Sequence, residues 1–147
     1  MCNVLKEGDF IKVKIIIPGE PQGKERPRFN AKKKITYTPQ KTKNYEEFIA
    51  TIYKLQGRHF FTGCVKADIK AYYRIPKSDS KNKKQLKLDG KIRPSKKPDV
   101  DNIIKAVLDA LNGVAYTDDA AIVEANIKKH YSNDPRIELV LEDVEGE

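Results

Sequence analysis

Four stretches of the chain alternate apolar and polar residues in the way that half-buried β-strands do. They cover Phe10–Ile17, Val65–Tyr73, Ile122–Tyr131 and Arg136–Leu141. Successive side chains of a strand point to opposite faces, so each stretch predicts a strand with one buried face. A short Asn-Asp-Pro turn separates the last two stretches, and we expect these to form a hairpin.

Two further stretches repeat apolar residues at helical spacing, and each is followed by a glycine that can end a helix. They cover Thr42–Gln56 and Asp101–Asn112. On the second helix the apolar side chains share one face, and Asp101, Lys105 and Asp109 lie together near the opposite face. The order of elements predicts one α+β domain that spans the chain, with a mixed sheet and helices packed on one face.

The charge is unevenly distributed along the 147 residues. Residues 74–97 contain ten lysines and arginines and two aspartates. Their net charge of +8 equals that of the whole protein. Residues 24–43 contain eight cations and one glutamate. Clustered cations favour a polyanionic partner because they replace the counterions condensed on phosphates, although a solvated lysine-rich loop is the simpler alternative. We expect residues 77–97 to be a mobile basic loop and 142–147 an acidic tail.

Several classes of protein are disfavoured by what the sequence lacks. No apolar run approaches the length of a membrane-spanning helix, and the N-terminus does not resemble a signal peptide. Two cysteines without metal-ligand spacing disfavour a disulfide or zinc site, and two histidines give little support for a Ser-His-Asp triad. We therefore expect a cytoplasmic protein that does not associate with membranes.

Asp99 and Asp101 stand where the basic segment ends and the second helix begins. Two carboxylates at this position can bind one hard cation, because Mg²⁺ takes oxygen ligands and often uses few protein carboxylates. Asp101 could instead cap the helix. A second pair, Asp118 and Asp119, follows an Asn-Gly turn that can bring the chain back beside the helix. Asp119 is the favoured ligand of this pair, and Asp118 could cap a short turn.

Lys105 lies one helical turn after Asp101. It could form a weak salt bridge with Asp101 or Asp109, or it could stabilise the charge that develops on a phosphate during cleavage. Asp109 is interpreted as a supporting residue.

The basic residues predict a surface that binds nucleic acid. Lys24, Arg26 and Arg28 alternate in a proline-containing segment, so their side chains would point the same way in an extended backbone. Phe29 could stack on bases or be buried beneath the loop. The predicted DNA-binding residues are Lys24, Arg26, Arg28, Lys83, Lys84, Arg93, Lys96 and Lys97.

The stretch KKPDVDNIIKAVLDALNGVAYTDDAAIVEANIKKHY resembles the core motif of the RusA family of Holliday junction resolvases. It has the Asp-x-Asp-Asn opening, a lysine one turn later, a helix ending in Asp-Ala-Leu, an aromatic residue, an Asp-Asp pair and a strand with basic residues. The earlier GKERPR segment also fits the family pattern.

The resemblance implies a function and a set of residues for it. Asp99, Asp101 and Asp119 would be catalytic metal ligands and Lys105 an essential lysine. It further implies an α+β fold, a homodimer with two active sites on one face, four-way junction DNA as the partner, and Mg²⁺ as the cofactor, with Mn²⁺ as a substitute. The expected activity is resolution of Holliday junctions by paired symmetric nicks in recombination and repair.

Two other functions fit the residues. One is a less selective nuclease that acts on flaps or other branched DNA. The other is a non-catalytic nucleic-acid-binding protein, in which the carboxylates only cap helices and balance lysines.

Overall fold

A computed structural model describes residues 4–7 and 10–144, and its largest feature is a five-stranded sheet. Within these residues the strands are β1 (Val4–Glu7), β2 (Phe10–Pro18), β3 (Arg28–Asn30), β4 (Ile35–Tyr37), β5 (Val65–Arg74), β6 (Ile122–Ser132) and β7 (Arg136–Asp143). The helices are α1 (Gln40–Gln56), α2 (Lys81–Leu88) and α3 (Val100–Ala110). The four long strands and the two long helices were predicted from the hydrophobic pattern, to within two residues at every end.

The sheet has the order β1-β2-β7-β5-β6 and is mixed. Strand β6 runs parallel to β5, whereas β1, β2, β7 and β5 pair antiparallel. The expected β6–β7 hairpin is wrong, because β5 lies between these two strands. The connection after Ser132 crosses the end of β5, where Arg74 pairs with Ser132 and Tyr72 pairs with Arg136. A short turn can therefore join two strands without pairing them.

The core lies between one face of the sheet and helices α1 and α3, which confirms the α+β arrangement. Its sheet side consists of alternate residues such as Ile15, Ile69 and Leu139, which are at most 2% exposed. The chain has no tryptophan, and tyrosines such as Tyr53 fill the largest buried volumes. The opposite face of the sheet is polar and carries ion pairs between neighbouring strands.

Residues 77–97 were expected to form a loop without regular structure, and this is corrected for residues 81–88, which form α2. The Ser80 hydroxyl accepts a hydrogen bond of 3.2 Å from the Lys83 N–H and so caps the helix. Lys87 is only 5% exposed: its ammonium binds Asp79 and lies 4.5 Å from the centre of the Tyr131 ring. Lys87 therefore packs α2 against the edge of the sheet.

Strands β3 and β4 form a small antiparallel ribbon that stands outside the main sheet. The Asn30 side chain accepts hydrogen bonds from the N–H groups of Lys32 and Lys33, which holds the turn between the strands. Phe29 is 65% exposed, so the expectation that it might be buried beneath the loop is wrong.

The predicted acidic tail lies partly in β7, which ends at Asp143, and residues 145–147 lie outside the described part of the chain. No helix among the described residues has the length and apolar character needed to cross a membrane.

Candidate functional site

Two carboxylates stand at the start of α3. Asp99 is the N-cap residue, and its carbonyl accepts a hydrogen bond of 3.0 Å from the Ile103 N–H. Asp101 lies in the first helical turn, so the expectation that Asp101 caps the helix is corrected. The Asp99 side chain forms no capping bond either, and both side chains are exposed. Their carboxylates therefore lie at the positive end of the helix dipole without being used to cap the backbone.

The segment around Gly23 is docked against this end of α3. The Lys24 N–H donates a hydrogen bond of 3.0 Å to the Asn102 carbonyl. A Cβ at Gly23 would lie 2.9 Å from Pro98 Cβ and 3.0 Å from Asn102 Cβ, so only glycine permits this approach. From the other side, the Tyr73 hydroxyl donates a hydrogen bond of 2.7 Å to the Pro98 carbonyl. These contacts fix the backbone on which Asp99 and Asp101 stand.

A groove of about 880 Å³ lies between residues 21–28, the start of α1 and the start of α3. Asp99 and Asp101 line it together with five basic side chains, namely Lys24, Arg26, Arg28, Lys41 and Lys97. The groove thus brings together two predicted catalytic residues and four predicted DNA-binding residues. Lys41 at the start of α1 was not among the predicted DNA-binding residues, although its position in the second basic stretch marked it as a candidate.

Lys24 has a second role that the sequence pattern did not indicate. Its ammonium lies 2.8 Å from the Asp109 carboxylate and 3.5 Å from Glu46, and its side chain is only 24% exposed. Burial by itself lowers the pKa of Lys24, but the hydrogen bond and charge of Asp109, together with Glu46, outweigh it and raise the pKa. Lys24 is therefore an ion-paired link between the groove segment, α1 and α3.

Asp119 lies near the other end of α3, beside Asp109. A hydrogen bond with the Asp109 carboxyl group, burial and the neighbouring Asp118 raise the pKa of Asp119 to about 6. The Asp119 N–H also donates a hydrogen bond of 2.8 Å to the Asn112 side chain. Since a helix rises 1.5 Å per residue, Asp109 lies about 12 Å along α3 from Asp101. The structure thus brings Asp119 to Asp109 and Asp118 rather than to Asp99 and Asp101.

Lys105 lies between these two groups of carboxylates, on the exposed side of α3. In the part of the chain that the structure describes, it has no carboxylate within 4 Å. The alternative of a salt bridge with Asp101 or Asp109 is therefore not formed here, and the ammonium is available to an external anion.

The basic segment before α3 is attached to β6. The Arg93 guanidinium donates a hydrogen bond of 2.9 Å to the Lys129 carbonyl, and the Lys129 ammonium donates to the Lys96 carbonyl. Lys129 also lies 5.0 Å from the centre of the Tyr73 ring. Burial lowers the pKa of Lys129, an effect that Asp99 opposes and Lys96 reinforces. Lys129 is thus a cation whose charge interacts with that of Asp99, and it was not singled out from the sequence.

The remaining predicted DNA-binding residues, Lys83 and Lys84, lie on α2 and do not line the groove. Lys83 is 3.9 Å from Asp79 and its side chain is 55% exposed. These lysines extend the basic surface away from the carboxylates.

The donor set of the groove suits a hard cation that keeps part of its hydration shell. Asp99 and Asp101 offer exposed carboxylate oxygens, and Mg²⁺ commonly binds through one or two carboxylates while water and substrate phosphate complete its shell. Among residues 4–7 and 10–144, no group of three or more acidic, histidine or cysteine side chains forms a closed metal site. The residues therefore fit an open site that a phosphate would complete.

Comparison with known proteins gives two matches. The family model described as Endodeoxyribonuclease RusA matches residues 18–142. The chain is also similar to a Bacillus subtilis (strain 168) protein named "Uncharacterized protein YqaN". The two are 36% identical over 137 residues, which cover 90% of this chain and 96% of that protein.

Proposed function

The chain belongs to the RusA family of junction-resolving endodeoxyribonucleases, and from this premise we propose that it resolves four-way DNA junctions by paired symmetric nicks. The proposed cofactor is Mg²⁺, with Mn²⁺ as a substitute, and the proposed active form is a homodimer that acts in DNA recombination and repair. Each subunit would cut one of two opposed strands, which matches the two-fold symmetry of a junction.

The observation that carries the proposal is the groove that contains Asp99, Asp101 and five basic side chains. Basic residues alone would indicate only that the groove binds nucleic acid. An acidic pair alone would be explained by its position at the start of a helix. Exposed carboxylates within a basic groove are otherwise unfavourable for DNA binding, because they repel phosphate. A divalent cation bound by Asp99 and Asp101 would offset this repulsion.

Asp99 and Asp101 are the residues proposed to hold the metal. When bound, a divalent cation supplies Lewis-acid activation of water and stabilises charge on the phosphate. Arg26, Arg28 and Lys97 would hold the phosphates on either side of the cut, since guanidinium and ammonium groups bind phosphate oxygens strongly. Lys105, whose ammonium has no carboxylate within 4 Å among the described residues, would approach the cleaved phosphate and stabilise its added charge.

Asp119 remains a proposed catalytic and metal-binding residue on the basis of its place in the family motif. Its position beside Asp109 supports a second role, in which it hydrogen-bonds the carboxyl group that pairs with Lys24. Asp118 is exposed and caps a short 3₁₀ turn by position, which favours Asp119 over Asp118 as the functional member of the pair.

The test measures how fast the purified protein cleaves different DNA substrates in the presence of Mg²⁺. We expect cleavage of a synthetic four-way junction, with mapped cuts placed symmetrically on opposed strands, and little cleavage of a linear duplex of the same sequence. Equal cleavage of flap and junction substrates would favour a less selective branched-DNA nuclease. Tight junction binding without cleavage in Mg²⁺ or Mn²⁺ would contradict the proposal and favour a binding protein.

A further inference from the structure

Strand β6 forms one edge of the sheet and is eleven residues long. Its inner side pairs with β5 along its length. An edge strand exposes backbone N–H and carbonyl groups that can pair with another strand, so a long edge of this kind is normally covered or protected.

Only part of this edge is covered by the rest of the chain. Helix α2 packs against β6, and the Arg93 guanidinium donates a hydrogen bond to the Lys129 carbonyl. Within the described residues no strand pairs with the outer side of β6, which leaves the segment 122–128 open.

The side of β6 that faces the core is also incompletely covered. Ala125 pairs in register with Ala67 and so lies on the core side of the sheet. Ala67 is fully buried, whereas Ala125 is exposed and the preceding Val123 is 56% exposed. Apolar side chains next to an unpaired edge lose solvent contact when a second strand is added.

We propose that residues 124–128 of β6 pair antiparallel with the same residues of a second copy of this chain, about a two-fold axis at Asn126. This register places Glu124 opposite the partner's Lys128, and Ala125 opposite the partner's Ile127. Glu124 and Lys128 lie on the same face of the sheet, because they pair in register with Lys66 and Lys70. The segment is therefore complementary to itself in charge, as a two-fold interface requires.

The inference rests on the homodimer proposed above and specifies its interface. Charged residues on an edge strand can also serve to prevent association. The two roles differ in what they require: protection needs only charge, whereas pairing about Asn126 needs opposite charges at positions 124 and 128.

The first test is a charge exchange, with oligomeric state measured by sedimentation equilibrium without DNA or metal. Glu124→Lys and Lys128→Glu should each weaken the dimer about tenfold, since each replaces two attractive cross-strand pairs by two repulsive ones. The double variant Glu124→Lys/Lys128→Glu should return the dissociation constant to near the wild-type value. Glu142→Lys, which removes the Lys12 ion pair on the same face but in β7, should leave it unchanged.

The second test reports the register. In a background with both native cysteines replaced by serine, Asn126→Cys should form an intersubunit disulfide, because residues opposite each other on antiparallel strands have Cα atoms within disulfide range. Lys128→Cys should not, since the two copies of this residue would lie about 14 Å apart along the strands.

The outcomes separate the interface from the proposed activity. A dimer that is insensitive to all three charge variants, and that does not crosslink at position 126, would overturn the interface and leave the homodimer standing. A wild-type protein that is monomeric at high micromolar concentration would overturn both. Neither result depends on DNA cleavage, which is measured separately.

Discussion

The link between Lys24 and Asp109 should contribute measurably to stability. The ammonium and the carboxylate are 2.8 Å apart, and their side chains are 24% and 22% exposed. A hydrogen bond to a charged group contributes about 1.5–3 kcal/mol, and partial exposure places this one near the lower end, at about 1–2 kcal/mol. Lys24→Met also leaves Glu46 and Asp109 without their common cation.

The measurement is a double-mutant cycle of Lys24→Met and Asp109→Asn, with the free energy of unfolding taken from urea titrations followed by circular dichroism. We expect a coupling energy of about 1 kcal/mol between the two residues. Lys12→Met is the matched control: its ammonium is 3.8 Å from Glu142 and 52% exposed, and its loss should cost no more than about 0.5 kcal/mol. A coupling energy below about 0.3 kcal/mol at low salt would refute the link.

Three further outcomes follow from the groove, the β3–β4 ribbon and the carboxyl pair of Asp109 and Asp119. Arg26→Ala combined with Arg28→Ala should lower the slope of log K against log salt for junction binding by about 2, and an unchanged slope would show that neither side chain reaches phosphate. Phe29→Ala should weaken binding to a four-way junction by about 1–3 kcal/mol if the exposed ring stacks on an unpaired base, with linear duplex binding unchanged; equal losses on both DNAs would exclude stacking. Asp119 should titrate near pH 6 by NMR without metal, because the Asp109 carboxyl group raises its pKa. A raised carboxyl pKa means that the folded state binds the proton more tightly, so the contribution of Asp119 to stability should fall as pH rises from about 4 through 6, and Asp119→Asn should remove this dependence.

Strands β2, β5 and β7 and the two long helices were predictable because each buries one regular face. The alternation in β5 and the apolar stripe of α3 record that burial directly in the sequence. The β6–β7 pairing was not predictable in the same way. A four-residue separation between two strands usually indicates a hairpin, and only tertiary pairing shows that β5 lies between them.

Helix α2 was missed because its eight residues have too few apolar positions to show a period. Individual contacts stabilise this helix instead of a repeating apolar face. They are the Ser80 cap and the packing of the buried Lys87 between Asp79 and Tyr131. A lysine-rich stretch is typical of a solvated loop, and the sequence does not mark which of its lysines is buried.

For the candidate site, the sequence predicted the local motif around Asp99 and Asp101 but not the residues from other parts of the chain that pack around it. The approach of Gly23 to Pro98 and the ion pair of Lys24 join residues far apart in the chain. The same holds for the charge interaction of Lys129 with Asp99, which depends on the placement of β6. Charge clustering indicated a basic surface, but only the fold shows which cations line the groove and which of them are already ion-paired.

The proposed cleavage activity depends on Asp99 and Asp101 within the basic groove. Its most direct test is the single-turnover rate of junction cleavage in Mg²⁺ at saturating protein, for the wild type, Asp101→Asn and the control Asp134→Asn. Asp134 is exposed in the turn before β7, outside the groove, so its variant makes the same chemical change elsewhere. We predict that Asp101→Asn slows cleavage by about a hundredfold or more while junction affinity is kept or increased, consistent with loss of a charge-stabilising group, and that Asp134→Asn cleaves at the wild-type rate. Undiminished cleavage by Asp101→Asn would contradict the catalytic role of Asp101.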